Sequence, residues 1–330
     1  MDIKIFTISF VLTSFLFSLL LYNNNTNYTI LKPTKTFIVP KDQPNPYNAR
    51  FAYLISASTG DTMKLKRLML AIYHPANYYL LHLDAAAPGD EHREMARFVS
   101  SNHVFARVGN VWIVRKGNLV TYRGPTMLAT TLHAMSMLLR TADWDWFINL
   151  SASDYPLVTQ DGSAWTILSR SFAEYTVLGW DNLPRTLLLY YTNFVSSPEG
   201  YFQTLLCNSE EYKNKTVNHD LHYITWDNPP KQHPRSLGLK DYRKMVLSNR
   251  PFARKFKKND PVLNKIDREL LKRGRRRFAL GGWCLEGDKK CEDLKGENYG
   301  VLRPGTGSKR LRILITKLIS AQNLSKRQCR

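Results

Sequence analysis

Acidic residues are scarce in this chain. Its 330 residues hold 27 Asp and Glu against 47 Lys and Arg, a formal net charge of +20. Such an imbalance favours polyanionic partners: nucleic acid, acidic membrane surfaces, acidic glycans or a nucleotide's phosphates. No RNA- or DNA-binding motif accompanies it, which argues against nucleic acid. Cysteine is sparse too. Cys207, Cys284, Cys291 and Cys329 all lie in the second half, and no His stands beside them at metal-ligand spacing, which argues against zinc. Internal repeats are absent, so stacked-repeat architectures are excluded. Apolar residues, by contrast, are not lacking. At 43% of the chain, with 12% aromatics, they exclude a disordered protein and supply a real core.

The first residues narrow the compartment. Ile5 to Tyr22 is an uncharged apolar run of 18 residues. At helical rise it is roughly 27 Å long, near the thickness of a thin bilayer core. No Ala-x-Ala-like exit follows it, so it reads as an uncleaved signal anchor. Residues 1–4 are then a cytosolic tail, and 23–50, rich in Asn, Thr, Pro and Lys without periodicity, a stalk. A lumenal location agrees with the sequons at Asn24, Asn27, Asn214 and Asn323. In an oxidising lumen the four cysteines point to two disulfides, with three connectivities open. Cys284 and Cys291 are close enough in sequence to close a small loop. Four reduced thiols remain the alternative.

From Phe51 strands and helices alternate. Strands are predicted at Phe51–Ser56, Tyr78–Leu83 and Trp146–Leu150, and a strand-like stretch at Val104–Val114. Helices are predicted at Thr62–Tyr73, Pro88–Ser100 and Pro125–Arg140. This pattern implies an α/β domain, 51–330, with a mostly parallel central sheet covered on both faces. Ligands in such sheets bind beyond the carboxyl ends of the strands. Those ends carry Ser56-Ala-Ser-Thr-Gly60, Asp84 and Ser151-Ala-Ser-Asp154, all small or acidic. Asp143-Trp144-Asp145 has the spacing of a metal-binding pair but precedes a strand, which puts it at the wrong edge of the sheet. Beyond Ala164 the reading is coarser: a strand to Ser169, then helices over Phe172–Leu178 and Leu187–Asn193.

One acid stands out in the second half. In Ser196-Ser-Pro-Glu-Gly-Tyr-Phe202, Glu199 follows a proline that can open a helix. The helix dipole favours the ionised carboxylate there, which suits a general base. Further on, Lys and Arg make up 11 of the 25 residues from Arg254 to Phe278. Some of these must be solvated, but others could neutralise a departing diphosphate.

These pieces resemble the core-2/I-branching β-1,6-N-acetylglucosaminyltransferase family, and more closely its plant branch, the β-glucuronosyltransferases that modify arabinogalactan. The resemblance rests on Ala52-Tyr-Leu-Ile-Ser-Ala-Ser-Thr-Gly-Asp61, Tyr79-Leu-Leu-His-Leu-Asp84 and Phe147-Ile-Asn-Leu-Ser-Ala-Ser-Asp-Tyr-Pro156. It continues through Gly162-Ser-Ala-Trp165, Gly179-Trp-Asp-Asn-Leu-Pro-Arg185, Ser196–Phe202, Asp220–Pro230, Pro251-Phe-Ala-Arg-Lys-Phe256 and Gly281-Gly-Trp-Cys284. It implies a GT-A-type nucleotide-sugar-binding fold in a single lumenal domain behind the anchor, in a type II Golgi membrane protein. The implied reaction is inverting transfer of glucuronic acid from UDP-glucuronate, in β linkage, to galactan chains. The resemblance implies Glu199 as base, Arg235 and Lys255 on the diphosphate, Asp84 at the nucleoside and Asp154 on the donor side. It implies no metal ion or other cofactor; the partners are the UDP-sugar, a glycan acceptor and the membrane.

The chain departs from the family at one place. Relatives have some tens of residues between the Asp-Tyr-Pro strand and Gly-Ser-Ala-Trp. Here Pro156 is followed by Leu-Val-Thr-Gln-Asp161 and then Gly162. Loss of core elements there would leave apolar faces and sheet edges uncovered. Two alternatives therefore stay open: N-acetylglucosamine transfer, and a shortened member that binds but does not transfer.

Overall fold

The computed structural model describes residues 49–159, 167–274, 276–279 and 305–329. The anchor at 5–22, nearly all of the stalk, Asn24, Asn27, Cys284, Cys291 and the Gly162–Trp165 segment lie outside the described residues. Among the described residues no helix is long and apolar enough to cross a membrane.

The first half runs β1 (Phe51–Ala57), α1 (Thr62–Ile72), β2 (Tyr78–Leu83), α2 (Gly89–Ser101), α3 (His103–Val108), β3 (Val111–Ile113), α4 (Thr126–Thr141) and β4 (Trp146–Ser151). It continues with β5 (Tyr155–Pro156), β6 (Leu168–Ser169), α5 (Arg170–Leu178), α6 (Leu183–Tyr191), α7 (Pro198–Asn208) and β7 (His222–Tyr223). Then come α8 (Tyr242–Leu247), β8 (Phe252–Ala253), α9 (Pro261–Glu269), α10 (Thr306–Ile319) and α11 (Ala321–Arg327).

The main sheet has the order β3-β2-β1-β4-β6. Pairings among β1 to β4 are parallel, and β6 joins β4 antiparallel at the edge. This is the mixed, mostly parallel α/β sheet expected of the strand–helix alternation. Its strands read as nearly continuous apolar runs because both faces are buried. Tyr53 and Ile55 of β1, Tyr79 and Leu81 of β2, and Ile148 and Leu150 of β4 pack into a cluster with α1, α2 and α9. The alternate residues Ala52, Leu54, Leu80 and Phe147 face a second cluster, built on α4, α5 and α7. The chain leaves β1 toward β2 and β3, then crosses back to β4 on the other side. Strand order therefore reverses between β1 and β4, and a crevice opens at such a reversal.

The strand-like reading of Val104–Val114 needs correction. Its first part is helix α3, because the Asn102 side chain accepts from the amides of Val104 and Phe105 and Gly109 closes the helix in a left-handed conformation. Only Val111–Ile113 pairs, parallel to β2. Helix α6 also begins earlier than the expected Leu187, because Pro184 lies in its first turn, where proline is tolerated.

A second sheet of three very short strands, β5-β8-β7, lies against the first cluster. It joins Tyr155 directly to Ala253 and Phe252 to His222. The chain end is tied down separately. Cys207, in the last turn of α7, forms a disulfide with Cys329, and the Cα atoms are 5.2 Å apart.

Candidate active site

The carboxyl ends of the central strands are capped by a loop. Gly117 lies against the end of β2, where a Cβ would sit 2.2 Å from the Leu83 carbonyl oxygen, so no other residue fits. The following amides are fixed by side chains at the end of β2. Asn118 N–H donates to His82 Nε2 at 3.0 Å. Burial lowers the His82 pKa to about 4, which keeps that nitrogen an acceptor. Val120 N–H donates to Asp84 Oδ2 (3.1 Å), while Asp84 Oδ1 accepts from Ala86 N–H (2.8 Å). Asp84 is thus at the strand end, as expected, with both oxygens engaged by backbone.

The same loop positions the start of α7. Ser196 N–H donates to the Tyr122 carbonyl at 2.7 Å, and Arg123 bridges Val195. Ser196 is held at φ 56°, a left-handed conformation that a non-glycine residue adopts at a cost of about 1–3 kcal/mol. Ser197 turns its hydroxyl away from the helix, onto the carbonyls of Tyr191 and Gly124. Pro198 then opens α7 and Glu199 stands, exposed, in its first turn. Gly200 is required by packing: a Cβ there would meet the Tyr191 ring at 2.4 Å. Among the described residues the Glu199 carboxylate makes no hydrogen bond or ion pair.

Tyr122 also connects this region to a basic cavity. Its ring lies 5.4 Å from that of His233. His233 lines an open cavity of about 790 Å³ together with Lys231, Arg235, Lys240, Lys255 and Lys257. The structure thus brings Arg235 and Lys255, 20 positions apart, into one concave surface. They differ in state. Arg235 is held bidentate by Asp241, at 2.7 and 3.1 Å, and that pairing raises its pKa. The Lys255 ammonium has no ion pair among the described residues.

Asp154 does not line this cavity. It is buried at the β1–β4 reversal, with Oδ2 accepting from Ser151 N–H at 2.7 Å. Oδ1 lies 3.3 Å from Arg254 Nε and 3.8 Å from His222 Nε2. Burial raises its pKa, against the opposing pull of Arg254. Burial and the nearby Arg254 and Arg250 push the His222 pKa well below its ordinary value, so His222 is neutral.

Other sequence expectations find their places. Asp143 pairs with the Arg50 side chain and Asp145 accepts from the Arg50 amide, each at 2.7 Å, at the amino ends of β1 and β4. Among the described residues no group of three or more His, Cys, Asp or Glu is arranged to hold a metal ion. Of the sequon asparagines named above, Asn214 is exposed, whereas the Asn323 amide donates to Lys317 O and Ser320 Oγ. Sequence reasoning missed Gly117, His82, Asp241 and His222. Only the apolar Tyr79–Leu83 run interrupted by His82 hinted at any of them.

The family model for the Core-2/I-Branching enzyme matches in two blocks, residues 51–162 and 160–246. The chain is 45% identical over 371 residues to Beta-glucuronosyltransferase GlcAT14A of Arabidopsis thaliana, a match covering 90% of this chain and 83% of that protein. To Beta-glucuronosyltransferase GlcAT14C it is 40% identical over 346 residues, 85% of each chain. More distantly, it is 24% identical to Xylosyltransferase 1 of Rattus norvegicus over 69% of this chain and 36% of that one. Ninety per cent of 330 residues is about 297, so the 371-residue match carries about 70 positions without a counterpart here. The two family-model blocks meet at 160–162, where the sequence passes abruptly from the Asp-Tyr-Pro strand to Gly162. The chain belongs to the Core-2/I-branching enzyme family, a family of glycosyltransferases.

Proposed function

We propose that the protein is an inverting, GT-A-type glucuronosyltransferase that uses UDP-glucuronate and builds a β linkage on galactan chains of arabinogalactan proteins. The observation that carries this reading is the unengaged Glu199 carboxylate in the first turn of α7, linked through Tyr122 and His233 to a basic cavity. The names of the Arabidopsis relatives support the donor. Glu199 accepts the proton of the acceptor hydroxyl as that oxygen attacks the anomeric carbon. The bond from that carbon to the diphosphate oxygen breaks on the opposite face, and UDP leaves with the bonding pair. Lys255, with Arg235 beside it, stabilises the charge gathering on the diphosphate without a metal ion. The domain sits in the Golgi lumen behind the 5–22 anchor.

A second reading is a member that binds UDP-sugar without transferring it. The roughly 70 unmatched positions favour it. A donor panel with the purified protein, a β-galactan acceptor and UDP-glucuronate or UDP-N-acetylglucosamine separates these readings. Transfer from UDP-glucuronate is expected. Glu199→Gln should abolish turnover while sparing UDP binding, and full activity in that variant would refute the base assignment. UDP binding with no transfer from any donor would establish the second reading.

A further inference from the structure

We infer that Asp154 is a positioning residue, which acts through Arg254 to aim Lys255 into the basic cavity. This rests on the proposed role of Lys255 at the diphosphate.

Lys255 lies two residues beyond the end of β8, Phe252–Ala253. Lys255 and Lys257 line the cavity; Arg254 and Phe256 do not. Arg254 and Phe256 both meet the loop that ends β4 instead. Arg254 Nε lies 3.3 Å from Asp154 Oδ1. Phe256 N–H donates to Ser153 O at 3.3 Å, and the Phe256 ring packs edge-on against Tyr155. Antiparallel pairing of Tyr155 with Ala253 brings the two stretches together. Lys255 is therefore flanked on both sides by anchors to Ser153-Asp154-Tyr155.

Its own backbone is held as well. Arg254 N–H donates to Tyr223 O (3.0 Å), and Leu237 N–H donates to Lys255 O (2.9 Å), which ties in the Arg235 loop. What sets Asp154 apart is its charge. It is almost wholly buried, and among the described residues neither its Oδ1 nor Arg254 Nε has a hydrogen-bond partner. The neutral His222, stacked on Phe252, closes the remaining side. The Asp154 carboxylate thus restrains Arg254 by charge, and through it the direction of the next side chain. An Asn at 154 keeps the shape and removes the restraint.

The test is a double-mutant cycle on ligand affinity. UDP affinity would be measured by calorimetry, and uridine affinity by ligand-observed NMR, for the wild-type protein, Asp154→Asn, Lys255→Ala and the double variant. Lys255→Ala should weaken UDP binding about tenfold, the worth of one charge-assisted contact. Asp154→Asn should weaken it by a similar factor, and the double variant no further than Lys255→Ala alone. Uridine, which carries no phosphate, should bind all four alike; a general structural collapse would lose it. Additive losses would overturn the proposal in favour of direct contact with the donor. Unchanged UDP affinity in Asp154→Asn, with loss in Lys255→Ala, would overturn it and leave Lys255 in place. No loss in Lys255→Ala would overturn both readings. Should Asp154→Asn fail to fold, Arg254→Gln breaks the same pair from its less buried side. That variant must reproduce the UDP-specific loss; if it keeps wild-type affinity, the proposal falls.

Discussion

Replacing Cys329 with Ser should lower the stability of the whole domain, although the residue is next to the last. Its disulfide with Cys207 closes a loop of 122 residues. Cross-linking removes closure entropy from the unfolded chain in proportion to the logarithm of loop length, and this length corresponds to about 5 kcal/mol at 25 °C. In a domain of this size each kcal/mol is worth roughly 2 °C, so Cys329→Ser should melt about 10 °C below the wild type. The bridge also reaches the proposed catalytic base, because α7 carries Cys207 in its last turn and Glu199 in its first. The assay is a pair of thermal melts with and without dithiothreitol. Reductant should bring the wild type down at least to the variant's melting temperature. A non-reducing peptide map should join the Cys207 and Cys329 peptides, and any second bridge would then join Cys284 to Cys291. A variant that melts within 2 °C of the wild type, or a map that pairs Cys329 elsewhere, would refute the reasoning.

Gly200→Ala should cost about 1–3 kcal/mol, because the new methyl group displaces the Tyr191 ring and its 2.7 Å bond to Thr204 Oγ1. Activity should fall with it, since the first turn of α7 shifts under Glu199; urea midpoints and initial rates check both. Acid should destabilise the fold before carboxylates titrate. Burial holds His74 and His82 near pKa 4, while the unfolded chain takes up protons below 6.5. Stability is fully present above pH 6.5 and falls toward pH 4, by on the order of 2 kcal/mol per histidine at pH 5. His82→Gln should flatten the pH dependence of the urea midpoint. Asp267→Asn should cost more than Gly200→Ala, about 3–5 kcal/mol in urea unfolding. Its buried carboxylate holds Tyr155 Oη (2.5 Å), Arg67 (2.6 Å) and Arg273 (3.4 Å), leaving two guanidinium groups uncompensated when it is removed.

The sequence by itself determined the central sheet, because strands buried on both faces are mostly apolar, as Tyr78–Leu83 and Phe51–Ala57 are apart from His82 and Ser56. It also determined the polar or acidic strand ends, the helix opened by Pro198 and the exposed acid that follows it. It misread Val104–Val108, where capping by Asn102 overrides an apolar pattern that suits either element. The three-stranded sheet was invisible in it, since two residues are too few to show a period. Only the tertiary structure decided how the charged groups are divided. Composition could not tell a solvated lysine from one aimed into a cavity, nor reveal that Arg235 is already held by Asp241. Likewise it could not show that Asp154 meets Arg254 instead of the cavity, or that Cys207 chooses Cys329. Those pairings join residues up to 122 positions apart, and distance in space between such residues is fixed by packing, which no local pattern encodes.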